Sequence, residues 1–183
     1  DKALRLELYV CGDANDAIVT LHDIYEEAVW PENPRHLLTP FEYGSFRANV
    51  FDDASGRLIY SKGFDTLFAE YATTDPAIKG IKRVLETTAR CPFPKAKIRV
   101  EIQRRNKQQE FATVLTTAID PADYRIRRET TNLSDWDFEI QNTGSPHDRV
   151  DVLFLAEGYT ADESDKFRTD ALRLTEFMFS AAP

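Results

Sequence analysis

The residues able to do chemistry are few and widely separated. His22, His36 and His147 are the only histidines, and none belongs to an H-E-x-x-H or H-x-H pair that would place two imidazoles on one metal ion. Isolated as they are, they read as surface or loop groups rather than ligands. Cys11 and Cys91 are the only thiols. Two cysteines can form one bridge or stay apart as separate thiols, but they cannot make a four-cysteine zinc site or a disulfide scaffold. No G-x-S-x-G is present, and Gly44-Ser45 and Gly144-Ser145 lack the strand–elbow–helix setting of a serine nucleophile. The turn Ala156-Glu157-Gly158-Tyr159-Thr160 has one glycine where a dinucleotide loop needs several for close backbone approach.

The acidic groups fare no better. Asp52, Asp53 and Ser55 lack the longer ligand spacing of a calcium loop and fit a hairpin turn. Glu26 and Glu27 are adjacent, so on a strand their carboxylates point to opposite faces and cannot act as an acid–base pair. Trp30, Trp136 and the 12 Phe read as core rather than as a ligand platform. Spacing therefore assigns no catalytic, cofactor-binding or metal-ligating residue in this chain.

The elements that would carry such residues are mostly strands. Leu4, Leu6, Leu8 and Val10 alternate with polar neighbours, the period of a half-buried strand, and Ala17 to Leu21 continues the pattern. Pro31, Pro34 and Pro40 place a loop after Trp30. Ser45–Tyr60 reads as a hairpin turning at Asp52-Asp53-Ala54-Ser55-Gly56. The stretch Asp75 to Phe93 reads two ways. Asp75-Pro76 and the spacing of Ile78, Ile81 and Leu85 suit a helix, while Leu85, Thr87, Ala89, Cys91 and Phe93 alternate as a strand. A short helical turn followed by a strand ending at Pro92 and Pro94 is favoured. Ile98, Val100 and Ile102 face Phe111, Thr113, Leu115 and Thr117 across the connector Arg104–Gln109, and Trp136, Phe138 and Ile140 predict a further strand.

Composition changes at Asn142-Thr143-Gly144-Ser145-Pro146, which reads as a linker over residues 143–149. Beyond it Val150-Asp151-Val152-Leu153-Phe154-Leu155 predicts a strand apolar on both faces, of the kind found inside parallel sheets. Thr160 and Glu163 form a capping box for a helix whose apolar stripe is Phe167, Ala171, Leu174 and Met178. A strand–loop–helix with no second strand reads as the opening of an α/β domain and leads to the expectation of a truncated one. Its helix stripe is expected to be partly exposed or covered by another copy of the chain.

With 183 residues, 42% hydrophobic and 30% charged, the chain is an ordinary globular mixture with no membrane-spanning run. Its net charge of −8 argues against nucleic acid or anionic lipid as the main partner. Residues 1–75 carry 6 basic and 14 acidic side chains, residues 76–130 carry 13 and 6, and residues 131–183 carry 4 and 11. The basic middle is expected to pair with acidic strands across a sheet. The first residues, Asp1-Lys2-Ala3-Leu4, do not form a signal peptide, which fits a cytoplasmic protein or the mature form of an exported one.

Three stretches, in order, carry a resemblance. They are Arg57–Phe64 with Glu70-Tyr71-Ala72-Thr73-Thr74, then Thr117–Asp123, then Val150–Thr160 with Asp165-Lys166-Phe167. Together they resemble the bacterial IgA-peptidase-type zinc metallopeptidases, metallopeptidase family 64. The resemblance implies a mainly β chain: an antiparallel β-sandwich-like accessory domain over residues 1–142, then the first strand–helix unit of an α/β catalytic domain over 150–183. It implies a parent that hydrolyses peptide bonds with zinc-activated water. The zinc motif of that family lies downstream of the third stretch, so zinc belongs to the parent and this chain is expected to be inactive alone.

The implied role is substrate positioning, folding, or docking on the chain's own C-terminal catalytic domain, with a protein as substrate. The implied location is secreted, periplasmic or at the bacterial cell surface, which tolerates a Cys11–Cys91 bridge. Self-association through the exposed C-terminal helix is a further expectation. An autonomous β-sandwich module binding protein or glycan is the alternative, and an exposed aromatic patch on a sheet face would favour it. An apolar patch around Val150–Met178 would favour the peptidase reading.

Overall fold

The structure is a computed structural model that describes residues 2–128 and 137–180. Its chain divides into two compact units, Asp1–Thr131 and Asn132–Pro183.

The first unit is built by alternation. Strands β1 (Ala3–Gly12) and β2 (Ala17–Glu27) form an antiparallel hairpin, and β5 (Arg83–Pro92) pairs with the other edge of β1. A two-residue strand, β8 (Arg127–Arg128), lies parallel to β2 and completes the order β5-β1-β2-β8. The second sheet, in the order β4-β3-β6-β7, contains β3 (Phe46–Asp52), β4 (Leu58–Phe64), β6 (Ile98–Arg105) and β7 (Phe111–Ile119). Two short helices, α1 (Leu67–Tyr71) and α2 (Asp75–Ile78), link the sheets. The expected helical turn at Asp75 and the strand ending at Pro92 are both present; α1 has no forerunner in the apolar periodicity.

Every second residue of β1 and β6 faces inward. Leu4, Leu6, Leu8 and Val10 of the first sheet share one buried cluster with Phe46, Val50, Ile98, Val100 and Ile102 of the second and with Phe68 of α1. Each such side chain contributes about 1.5–3 kcal/mol by leaving water. This is the antiparallel β-sandwich that the alternation predicts.

The turn after β3 follows from its composition. The Asp52 carboxylate accepts from the Ser55 N–H (2.8 Å) and hydroxyl, and the Gly56 N–H donates to the Asp52 carbonyl at φ +68°. Those two bonds hold the Asp52 carboxyl below its ordinary range. Gly63 is required by contact: a Cβ there would lie 2.0 Å from the Tyr43 carbonyl oxygen.

Basic and acidic segments do pair across the first sheet. Arg90 on β5 meets Glu27 at 3.0 Å, and Arg127 and Arg128 on β8 meet Asp23 at 3.0 Å and Glu26 at 3.3 Å. Part of the uneven charge is thus neutralised within the fold, through arginines more than half exposed, so that each pair is of modest energy.

In the second unit, neither of the two expected strands forms among the described residues. Trp136 lies outside the described residues, and Asp137–Ile140 forms no strand. Phe138 instead packs edge-on against Phe167, with ring centroids 5.7 Å apart and the Arg168 guanidinium over its face. Val150–Leu155 is also unpaired, with Val150 at 89%, Leu153 at 79% and Leu155 at 80% exposure. A ladder needs a neighbour to supply carbonyl and N–H groups, and among the described residues none flanks this run.

The helix does form. It opens with a 3-10 turn, Ala161–Glu163, and continues as α3 (Ser164–Ser180). The Glu163 carboxylate accepts from both the N–H and the hydroxyl of Thr160, each at 2.9 Å, and these bonds pull its carboxyl below the usual range. Ala171 is buried, while Leu174 and Met178 are each 46% exposed, so the apolar stripe is partly uncovered. The expectation that every Phe is core fails here too: Phe177 and Phe179 are exposed, as is Phe41 in the loop before β3.

Candidate functional site

The antiparallel pairing of β1 and β2 sets Glu7 directly opposite Asp23. One step along, Leu8 is opposite Leu21, so His22 is an extra residue inserted in β2. A bulge of this kind leaves one residue unpaired and re-aims its side chain. Here it gathers His22 and Asp23, sequence neighbours that an undistorted strand would point to opposite faces, beside Glu7. One ligating atom from each of the three residues lies within 4.8 Å of the other two, the sole such group among the described residues. His22 Nε2 is 3.6 Å from Asp23 Oδ2.

Neighbouring side chains orient the group. The Tyr9 ring packs on the His22 imidazole with centroids 4.7 Å apart. Partial desolvation raises the Tyr9 phenol above its ordinary range, and the Glu86 carboxylate beside it adds to the rise. Glu7, Tyr9, His22, Glu86 and Thr88 line a small cleft of about 50 Å³ that reaches the surface. Two guanidinium groups counter the carboxylates, with Arg5 3.2 Å from Glu7 and Arg127 3.0 Å from Asp23. The side chains are accessible, at 31% for Glu7, 19% for Asp23 and 47% for His22.

The other sequence candidates stay apart. His36 and His147 join no cluster of metal-ligating side chains among the described residues. Glu26 and Glu27 take opposite faces of β2, Glu26 bonded by Lys2 and Arg128 and Glu27 by Arg5 and Arg90. Lys2 is the main cause that holds the Glu26 carboxyl below its usual range. The Cys11–Cys91 bridge is excluded by register: β1 and β5 are neighbours, but Cys11 faces Val84 while Cys91 faces Leu4. The cluster was missed because it joins residues 15 and 16 positions apart through a register shift that alternation does not reveal.

The first unit is a sandwich of two four-stranded sheets that carries a cluster of metal-ligating side chains on the β1–β2 pair. Two protein-family models match the chain. Residues 1–116 match the family described as the Peptidase M64 N-terminus, and residues 138–183 match IgA Peptidase M64. The chain belongs to the M64 peptidase family. No curated protein matches it.

Zinc is the metal this family implies. The donor set present here is one imidazole and two carboxylates on a strand pair. It is not two histidines one helical turn apart with a glutamate between them, and the sequence contains no such motif. These residues do not fit a peptide-hydrolysing zinc.

Proposed function

We propose that the β domain, residues 1–142, is a non-catalytic domain of an exported zinc peptidase, joined by a linker at 143–149 to the opening of its catalytic domain at 150–183. Its role is to dock on that catalytic domain and so support its folding and the positioning of a protein substrate. The observation that carries this reading is the tandem match: the N-terminus family covers 1–116 and the peptidase family begins at 138. The exposed apolar run Val150–Leu155, with Phe177 and Phe179, supports it, because uncovered apolar surface of this extent marks an interaction site. Export is part of the proposal, and so is a bacterial source.

The test compares peptide hydrolysis, with Zn²⁺ supplied, by the 183-residue chain, by the product of the complete reading frame, and by that product lacking residues 1–131. Hydrolysis by the complete product alone, with a lower soluble yield or a higher KM after the deletion, is expected. Hydrolysis by the 183-residue chain would overturn the non-catalytic assignment. A deletion that changes neither yield nor kcat/KM would overturn the supporting role and favour an autonomous module that binds protein or glycan.

A further inference from the structure

We propose that Glu7, His22 and Asp23 form a binding site for one divalent transition-metal ion, with Zn²⁺ the best fit. The donors are an imidazole nitrogen and oxygens from two carboxylates, a borderline set that suits Zn²⁺ better than Ca²⁺ or Mg²⁺, which take oxygen alone. Their ligating atoms lie within 4.8 Å of one another, with His22 Nε2 and Asp23 Oδ2 at 3.6 Å, so side-chain rotations of about 1 Å would bring all three to the roughly 3.4 Å spacing of donors around one zinc ion. The pre-arrangement is structural. The register shift turns His22 toward Asp23, and the Tyr9 ring holds the imidazole plane from one side. The adjoining cleft, with Glu86 and Thr88 on its wall, gives solvent access for water to complete a four-coordinate shell.

The cluster's present charge partners define how the ion would enter. Arg5 neutralises Glu7 and Arg127 neutralises Asp23, so binding is an exchange of guanidinium for metal at each carboxylate. The Arg127 side chain is 61% exposed, and besides Asp23 it meets the Tyr25 hydroxyl at 3.4 Å and lies over the Tyr25 ring at 5.6 Å, so it keeps a partner when Asp23 turns to an ion. Arg5 is more confined; its guanidinium stacks over Tyr25 at 4.3 Å and also pairs with Glu27 at 2.7 Å, so it keeps partners when Glu7 turns away. The same residues would serve as a purely structural charge network if no ion bound, and the Arg127 variant separates the two roles.

ZnCl₂ titrated calorimetrically into the 183-residue chain tests the site. One ion per chain is expected, with affinity at least about tenfold weaker in His22→Gln. His36→Gln and His147→Gln should leave binding unchanged. Arg127→Gln removes the competing cation and should tighten binding about two- to fivefold, the scale of one exposed ion pair. In ¹⁵N spectra, Co²⁺ should broaden the amides of residues 7, 22 and 23 first. Absence of binding, binding unaltered in His22→Gln, or an Arg127→Gln affinity that is equal or weaker would overturn the proposal.

Discussion

Cys91 faces Leu4 across the β1–β5 ladder, while Cys11, on the same β1, faces Val84 seven positions further along. At about 3.3 Å per residue the two thiol-bearing positions are about 23 Å apart along the strands. A disulfide needs Cα atoms within about 7 Å, so adjacency of the strands does not help. Burial alone pushes the Cys91 thiol up to about 12, whereas Cys11 is half-buried near the end of its strand. Thiol titration of the native chain should therefore show Cys11 reacting first and Cys91 only on unfolding, with two free thiols in total under denaturing, non-reducing conditions. A count of zero free thiols in monomeric protein would contradict this register.

The β6–β7 connection makes a backbone prediction. Gln109 is the one non-glycine residue with positive φ among those described, at 68°. It is held there because its N–H donates to the Asn106 carbonyl at 3.0 Å, while the Asn106 side-chain oxygen accepts from the N–H groups of Gln108 and Glu110 at 2.9 Å each. A left-handed conformation costs a side-chain-bearing residue about 1–2 kcal/mol, and glycine returns part of that saving as chain entropy. Gln109→Gly should stabilise the domain by about 0.5–1 kcal/mol in urea unfolding, and Gln109→Val should destabilise it by more than that. Stabilisation by valine would show that the loop relaxes to another turn.

How much of this was readable beforehand divides along physical lines. The hairpin Ile98–Ile119 was legible because Ile98, Val100 and Ile102 alternate and a polar connector separates the strands. The bulge at Val114, which sets Phe111 and Thr113 opposite Arg105 and Gln103 instead of the isoleucines, was not. The Asp52–Gly56 turn was legible because its residues bond to their own backbone. Val150–Leu155 is apolar as the sequence shows, but the strand expected there does not form among the described residues, since composition speaks for burial and not for who supplies the neighbouring strand. The Glu7–His22–Asp23 cluster was not legible at all. It depends on which strands pair and on a single inserted residue, and both are settled by the packing of Leu6, Leu8 and Leu21 rather than by the polar residues that result. Chemistry gathered by a bulge leaves no periodic signature.

The turn after β7 titrates in a way that can be checked residue by residue. Arg125 donates to both oxygens of Asp123, 2.7 Å from Nη2 to Oδ2 and 3.1 Å from Nε to each, and its own N–H adds a bond of 2.9 Å to Oδ1. The side-chain bonds come first and the backbone bond second in drawing the Asp123 carboxyl down to about 2. An unfolded aspartate titrates near about 3.9. The folded value is depressed, so the interaction stabilises the native state fully above about pH 4 and is lost as pH falls toward 2. Both groups sit at the surface and are screened, so the effect on stability is small and the titration itself is the better measurement. Carboxyl ¹³C shifts should place Asp123 near 2 in the native chain, and Arg125→Gln should return it most of the way to the ordinary range. An Asp123 that already titrates near 4 beside Arg125 would mean the bidentate pair does not persist in solution.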